Sequence, residues 1–223
     1  ERLRQICKMG WQEMPSNNRR YNGTGGPGNY LEDLIGLTAG NKDIADIVGW
    51  ELKYYTLKTS LITLFHKEPE PKGVLRYMVS QYGWIDAHNR RSFRHTIRGR
   101  SDRFEVVNDA GNIIVRPLEN SDDSVVPIWS HDTLLNIAGG KLRRLITVRG
   151  ERNGIKVRFN RVDRFEDLFL TRLIEYIKNG TIAIDFDVRE KMAGSDALRN
   201  HGTKFRIPPE NIKGIYKKHD RVV

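Results

Sequence analysis

Three charged residues, Asp46, Glu51 and Lys53, have the types and the spacing that hydrolysis of a phosphate ester requires. They lie in "DIVGWELK", where the other side chains are mostly apolar, and charges in such a stretch are costly to bury unless they are paired or hold a metal. Side chains two apart in a strand share a face, so Glu51 and Lys53 are expected to project together. Gly49 permits a bend that would return Asp46 to that face.

Two carboxylates that meet on one face can bind Mg²⁺, which prefers oxygen ligands and keeps several of its waters. A neighbouring lysine can orient an attacking water and offset the charge on a phosphate, as in metal-assisted hydrolysis of a phosphodiester. The alternative is a strand edge that carries a Glu51–Lys53 ion pair, because so short a spacing often arises by chance. The spacing alone does not decide between the two.

The overall charge favours a polyanionic partner. Lysine and arginine total 38 against 28 acidic residues, which makes the formal charge +10, and such an excess is typical of proteins that bind nucleic acids. The basic residues are spread through strand-like and loop-like stretches. Because no basic helix has one clean apolar face, nucleic acid is favoured over a membrane surface.

The single cysteine, Cys7, is interpreted as a small buried residue, since it shares a helical spacing with Leu3 and Ile6. It forms no disulfide within the chain, and a zinc site of several cysteines is excluded. A cytoplasmic location is expected, because a reducing compartment suits this cysteine usage and no secretory or membrane-spanning pattern is visible. The charged, helical opening suggests that a short piece precedes Glu1.

Strand-like and helix-like segments alternate along the chain, which predicts an α/β fold with a mixed β-sheet flanked by helices. The predicted helices cover 1–14, 29–37, 73–83, 130–138, 165–178 and 209–216. The predicted strands cover 46–55, 60–66, 94–99, 182–188 and 204–208, with hairpins at 103–117 and 144–159. The glycine-rich segment before residue 29 is interpreted as a loop. His95, His131 and His219 have no ligand spacing and are expected to be surface or capping residues.

Four motifs in order resemble those of the MvaI/BcnI family of type II restriction endonucleases. They are "GPGNYLEDL", "DIVGWELK", "SLITLFHKEP" and "HGTKFRIP", and the agreement runs from 10–11 to 205–208, with a less distinctive middle at about 84–165. Asp46–x4–Glu51–x–Lys53 is similar to the PD-(D/E)xK signature, and the family belongs to its MutH-like branch. The resemblance implies a bilobal nuclease whose lobes form a DNA-binding cleft, with a catalytic lobe at about 1–120 and a recognition lobe at about 121–223.

The resemblance also implies roles for particular residues. Asp46 and Glu51 match the metal ligands, Lys53 matches the lysine near the scissile phosphate, and Glu32 matches a further acidic residue of MutH-like sites or is simply an exposed helix residue. Arg206 matches the position expected to read guanine, since arginine pairs with guanine O6 and N7. The other candidates for DNA contact are His66, Lys67, Asp185, Asp187, Arg189, Arg199, His201 and Lys204, of which those between 186 and 204 depend on a gap in the alignment.

The implied function is Mg²⁺-dependent hydrolysis of double-stranded DNA at a short GC-rich site of the CC-N-GG kind, by a monomer that nicks one strand at a time. Mn²⁺ is expected to substitute for Mg²⁺, and a cognate methyltransferase would share the system without binding the protein. One alternative is a MutH-like mismatch-repair nickase. The other is a DNA-binding module without catalysis, against which the intact Asp46, Glu51 and Lys53 argue.

Overall fold

The computed structural model describes residues 1–36, 49–119 and 125–223. In these residues the helices are α1 (Arg2–Lys8), α2 (Gly26–Ile35), α3 (Val74–Tyr82), α4 (His131–Leu142) and α5 (Leu170–Lys178), with short 3-10 helices at Arg19–Tyr21 and Pro209–Ile215. The strands are β1 (Gln12–Glu13), β2 (Glu51–Tyr55), β3 (Ile62–His66), β4 (Trp84–Ile85), β5 (Arg91–Ile97), β6 (Phe104–Asp109), β7 (Asn112–Pro117), β8 (Ile128–Ser130), β9 (Arg144–Asn153), β10 (Lys156–Leu168), β11 (Ala183–Glu190), β12 (Leu198–Asn200), β13 (Lys204–Ile207) and β14 (Tyr216–Arg221).

The chain divides into two compact units, each assembled from several segments. Unit 1 comprises Glu1–Ile62, Ile137–Phe169 and Pro209–Val223, and unit 2 comprises Thr63–Asn136 and Leu170–Pro208. The division expected from the sequence is a continuous one near residue 120, whereas these units interleave along the chain. Which unit cleaves and which reads bases stays a prediction.

Unit 1 is built on a five-stranded sheet in the order β1-β10-β9-β2, with β14 also paired to β10. Strands β2 and β9 run parallel, and the other pairs are antiparallel. One face of this sheet packs on the two N-terminal helices, where Ile6, Leu31, Leu52, Val148 and Val162 form a shared buried core. Successive side chains of a strand point to opposite faces, so the residues that alternate with these core residues project from the other face of the sheet.

Unit 2 contains a six-stranded sheet and a three-stranded sheet. The larger one has the order β3-β13-β11-β5-β4, with β12 also paired to β11, and the smaller one has the order β6-β7-β8. Aromatic side chains fill the core of this unit: Phe65 stacks on Phe205, and Phe93 packs edge-to-face on Phe104 and Phe186. The predicted α/β class is confirmed, in the form of several sheets rather than one.

Turn chemistry identified the hairpins correctly. The turns at 109–112 and 153–156 join β6 to β7 and β9 to β10, as the glycine-containing sequences between apolar runs predict. Ser130 caps α4, because its Oγ accepts a hydrogen bond from the Thr133 backbone N–H at 3.2 Å.

The helix predicted for 165–178 is wrong over its first residues. Strand β10 continues to Leu168, paired on both sides with β9 and β14, and α5 begins only at Leu170. Phe165 and Phe169 fit the helical period, but Phe165 is buried against His219 and Phe169 is 40% exposed. The two backbone ladders outweigh the local helical pattern.

Three other boundaries differ from the predictions. Helix α1 ends at Lys8, and the chain then forms the short strand β1, which was predicted as helix. Helix α2 begins at Gly26 rather than at residue 29. Pro27 is compatible with this start, because the N–H groups of the first helical turn have no partner within the helix and the missing N–H of proline costs nothing there. The segment after residue 209 is a 3-10 helix followed by β14, a strand that the sequence did not predict.

Candidate functional site

A buried carboxylate and a lysine stand together at the start of β2. Glu51 is 1% exposed, and its Oε1 lies 2.5 Å from Lys53 Nζ. A second ammonium group, Lys141 Nζ at the end of α4, lies 3.7 Å from the same oxygen. A carboxylate this deeply buried is stable only when opposite charges compensate it. Glu51 and Lys53 thus project from the same face, as predicted. Their ion pair was also expected of a simple strand edge, but the depth of Glu51 and the second lysine beside it were not.

The alternation of β2 explains this arrangement. Leu52 enters the core beside Leu31, so Glu51 and Lys53 project from the other face of the sheet. Gly49 has φ +83°, a left-handed conformation that breaks the extended chain just before the strand. Asp46 lies outside the residues that the structure describes, and its place beside Glu51 stays a prediction.

Sequence reasoning missed two residues near Glu51. Lys141 is distant in sequence and belongs to α4, and nothing in that helix singles it out. Tyr216 is buried and donates a hydrogen bond from its hydroxyl to the Leu142 carbonyl oxygen at 2.7 Å. Burial, with the charge of Glu51, raises the pKa of Tyr216 well above its usual range. The Tyr216 hydroxyl group is therefore uncharged where it lies near Glu51.

A second buried carboxylate, Asp163 on β10, faces the same side of the sheet. Its neighbours across the strands are Thr147, which in turn pairs with Lys53, and Arg221. Arg161 Nε lies 2.5 Å from Asp163 Oδ2, and His219 Nε2 lies 2.9 Å from Oδ1.

Asp163 stays ionised although it is buried. Burial raises the pKa of this carboxyl group, but the hydrogen bonds and charges of Arg161 and His219 outweigh that effect and lower the pKa overall. Nothing in the sequence singles out Asp163. His219 is exposed, as expected for a surface residue, but it also contacts this buried carboxylate. Only the pairing of β10 with β14 brings these residues together.

The residues present suit a hard cation in part. Glu51 supplies one carboxylate, and Mg²⁺ commonly binds through one or two carboxylates with water completing its shell. Within residues 1–36, 49–119 and 125–223, no group of three or more His, Cys, Asp or Glu side chains is gathered as a metal cluster. With Asp46 as predicted, two carboxylates would be available, a donor set that Mg²⁺ accepts.

Glu32 is engaged with a basic neighbour. Its Oε2 lies 3.4 Å from Arg20 Nη2, and its side chain is 37% exposed. Its helix packs through Leu31 on the Leu52 side of the sheet, the face opposite Glu51. The catalytic role suggested for Glu32 stays a prediction.

In unit 2, most of the residues expected to contact DNA lie on one polar sheet face. Asp185 pairs in register with Lys204 and Thr96, and Asp187 pairs with Arg94. Their alternates along β11 are buried in the core. We call this surface the polar face of unit 2: Arg94, Thr96, Asp185, Asp187, Arg189, Arg199, Lys204 and Arg206.

Ion pairs cross this polar face. Arg206 Nη1 lies 3.0 Å from Asp185 Oδ2, and Thr96 Oγ1 donates to Asp185 Oδ1 at 2.7 Å. Asp187 is shared by Arg94 at 3.3 Å and Lys204 at 3.6 Å. Arg94 and Thr96 were not predicted, because the strand at 94–99 carried no motif.

Two arginines of the polar face, Arg189 and Arg199, lie side by side on neighbouring strands. Arg189 lies opposite Arg199 in the register of β11 and β12 and is 8% exposed. Burial lowers the pKa of Arg189, and the positive charges of Arg90 and Arg199 act in the same direction. An arginine held so close to other cations would gain from an anionic or electron-rich partner.

The structure also brings His66, Lys67 and His201 near one another. The Lys67 N–H donates to the Thr203 carbonyl oxygen at 3.0 Å, and the His201 N–H donates to the Asp187 carbonyl oxygen at 3.0 Å. A side chain in place of Gly202 would start 3.0 Å from the His66 ring, so the loop after β12 lies directly on His66. Segments far apart in sequence thus meet in unit 2.

His95 corrects a prediction. It was expected at the surface or as a cap, but its ring packs among Phe93, Phe104 and Trp84. Burial, with the charge of Arg103, lowers its pKa. The neutral imidazole packs within the aromatic core. His95 alternates along β5 with Arg94 and Thr96, so its side chain points away from the polar face.

The fold and the site together suit a nuclease: a mixed α/β protein with a buried carboxylate beside two lysines and a net charge of +10. The restriction endonuclease MvaI in complex with its cognate DNA substrate resembles this chain with a TM-score of 0.82 and 25% identity, over 99% of this chain and 95% of that one. MvaI in the absence of DNA resembles it with a TM-score of 0.59 and 23% identity, over 99% and 94%, which shows the fold alone.

The model of the MvaI/BcnI restriction endonuclease family matches residues 1–216, so this chain belongs to that family. It is accordingly a DNA-binding deoxyribonuclease, and the resemblance, the fold class and the enzyme class predicted from the sequence are confirmed. No curated protein matches the chain. Among the described residues, no helix is long and apolar enough to cross a membrane.

Proposed function

We propose that this chain is a Mg²⁺-dependent type II restriction endonuclease that cuts double-stranded DNA at a short GC-rich site of the CC-N-GG kind. The observation that carries the proposal is the burial of Glu51, 1% exposed, beside Lys53 at the start of β2, since a surface ion pair at a strand edge would leave this carboxylate exposed. A relative of the same family was solved with its cognate DNA substrate, which supports duplex DNA as the substrate here.

In this proposal Glu51 and Asp46 would hold Mg²⁺, which lowers the pKa of water and offsets negative charge when it is bound. Hydrolysis adds water across one P–O bond of the phosphodiester, and charge accumulates on the phosphate oxygens as it proceeds. Lys53 supplies a fixed positive charge beside that phosphate and orients the attacking water. Lys141 offsets the charge of Glu51 and keeps this carboxylate in place while no cation is bound.

The pairing of Arg206 with Asp185 supports a GC-rich target. Arginine recognises guanine O6 and N7, and a carboxylate accepts a hydrogen bond from cytosine N4. The two side chains, 3.0 Å apart, together suit the two edges of one G·C pair. In the absence of DNA they compensate each other, so neither charge is left without a counterpart.

The Arg206→Ala variant is expected to bind a duplex that contains the cognate site about 5-fold to 150-fold more weakly, since a bidentate contact to guanine is worth about 1–3 kcal/mol. Binding to a duplex without the site is expected to change little. Titrations of both duplexes by fluorescence anisotropy measure the difference. Arg100→Ala is the control, because Arg100 is an exposed arginine of unit 2 paired with Glu105. An equal loss on both duplexes would instead mark Arg206 as a phosphate contact.

The proposed function is tested by digestion of plasmid DNA with the purified protein in Mg²⁺, in Mn²⁺ and in EDTA. We expect linear product in Mg²⁺ and in Mn²⁺ but not in EDTA, with a nicked intermediate if one monomer cuts the strands in turn. Sequencing the ends then gives the site. The Asp46→Ala and Glu51→Gln variants are expected to bind DNA and to cut it at least about 10³-fold more slowly.

Each alternative has a distinct outcome in the same digestion. Nicked product that never becomes linear would indicate a MutH-like nickase. DNA binding without hydrolysis in either metal would indicate a module that has lost catalysis. Normal cutting by both Asp46→Ala and Glu51→Gln would show that the site assignment is wrong.

A further inference from the structure

A pocket of about 440 Å³ lies in unit 1 beside the candidate active site. We call it the basic pocket, because four cationic side chains line it against two acidic ones. The cations are Arg149, Arg161, Lys213 and Arg221, and the acids are Asp163 and Glu210. His219 also lines it, so the charge of the pocket is positive whether this histidine is protonated or neutral. Such a pocket suits an anion.

The basic pocket opens on the same sheet face as Glu51 and Lys53. Residues opposite each other on paired strands share a face. Tyr55, two residues beyond Lys53 on β2, is opposite Arg149, and Arg149 is opposite Arg161. Arg149 is thus one strand over and two residues along from Lys53, a separation of roughly 8 Å.

A buried aspartate at the base of the basic pocket fixes two of its arginines in place. Asp163, 1% exposed, binds Arg161 through both of its oxygens, at 2.5 and 3.2 Å, and Arg221 Nε lies 3.6 Å from Oδ1. The guanidinium groups therefore have defined positions before any ligand arrives. Preorganised donors of this kind bind an anion with a smaller ordering cost.

A β-bulge orients the wall of the basic pocket. The register of β9 and β10 shifts between Phe159 and Arg161, which leaves Asn160 as the extra residue. Asn160 Oδ1 accepts a hydrogen bond from Arg149 Nε at 3.2 Å, and its amide donates to Glu151 at 2.7 Å. Bulges commonly redirect side chains beside active sites. Here the bulge presents Arg149 toward the pocket.

We propose that the basic pocket binds one backbone phosphate of the DNA strand that is cut, within about two nucleotide steps of the scissile phosphate. Arg149 and Lys213 contact this phosphate, and Asp163 positions Arg161 and Arg221 around it. The inference rests on the proposed function and deepens it, because a second phosphate contact would fix where the strand lies across Lys53.

The test measures how salt weakens DNA binding by Arg149→Ala and Lys213→Ala. The probe is a synthetic duplex carrying the mapped site, with Ca²⁺ in place of Mg²⁺ so that the duplex stays intact. Each phosphate contact contributes about 0.9 to the slope of log K against log salt. Because both side chains contact the same phosphate, each single variant is expected to lower that slope by a fraction of one, and the double variant Arg149→Ala/Lys213→Ala by about one. The double variant should therefore lose about 3.5-fold less affinity than the wild type between 50 and 200 mM salt.

Lys8→Ala is the matched control, since it removes one positive charge from unit 1 on α1, which packs on the opposite sheet face. It is expected to keep the wild-type slope. Duplexes with one uncharged methylphosphonate linkage then locate the contact: one linkage near the cut is expected to weaken the wild type but not the double variant, which lacks both side chains that contact this phosphate. Thermal unfolding confirms that each variant is folded.

A wild-type slope in the double variant, or a methylphosphonate penalty that remains in it, would overturn the inference. These outcomes are separate from the proposed function, which plasmid cutting by the wild type decides. A wild type that cuts DNA while the double variant keeps the wild-type slope would refute only the phosphate site. A wild type that cuts no DNA would refute the proposed function.

Discussion

Replacement of Lys53 by alanine is expected to slow DNA cleavage by about 10²-fold to 10³-fold, the scale on which one charge-stabilising group acts at a reacting centre. Lys53 Nζ lies 2.5 Å from Glu51 Oε1, and the side chain is 22% exposed, so it reaches both the buried carboxylate and the solvent-facing site. Binding of the cognate duplex is expected to change by less than about threefold, because one phosphate contact among many contributes little.

Single-turnover cleavage with enzyme in excess measures this effect without interference from product release. Lys8→Ala serves again as the control for the loss of one positive charge. Cleavage by Lys53→Ala within tenfold of the wild-type rate would contradict the assignment of Lys53. Loss of folding is checked by thermal unfolding, and Lys141 is expected to keep Glu51 compensated in the variant.

Replacement of Asp163 by asparagine is expected to lower the free energy of unfolding by about 3 kcal/mol, at the lower end of the range for breaking a buried ion pair. Asp163 is 2% exposed at its side chain and is the common partner of Arg161, His219 and Arg221. The loss stays at the lower end because these three cations are partly exposed and water solvates them in the variant. Denaturant unfolding at neutral pH measures it.

The same change is expected to alter the response to acid. Because the pKa of Asp163 is lowered in the folded protein, its contribution to stability is fully present above its ordinary value of 3.8. The contribution is lost as the pH falls through the lowered folded value. The gap between the wild type and Asp163→Asn should therefore be constant above about pH 5 and shrink below pH 4.

Asp220→Asn is the matched control for this prediction. Asp220 lies on β14, pairs with Arg164 and is 60% exposed at its side chain. An exposed pair contributes at most about 1 kcal/mol. An Asp163→Asn variant no less stable than Asp220→Asn would show that the Asp163 network does not stabilise unit 1.

Local patterns predicted much of the fold, and they failed where two distant strands imposed their pairing. The hairpins at 103–117 and 144–159 depend on short-range turn chemistry, which is encoded within a few residues. Residues 165–168 follow a helical period, yet β9 and β14 bind both edges of that segment and keep it extended. Strand β14 itself was missed, because its charged sequence shows no apolar alternation.

The sequence by itself determined the family and the shared strand face of Glu51 and Lys53, because ordered motifs identify a family and a two-residue spacing places both side chains on one face. Only the tertiary structure decided which other groups stand on that face. Lys141 reaches Glu51 from a distant helix, and Asp163 joins His219 through the pairing of β10 and β14. The register of the strands determines which of these side chains come into contact, and register depends on packing across the whole sheet rather than on any local stretch of sequence.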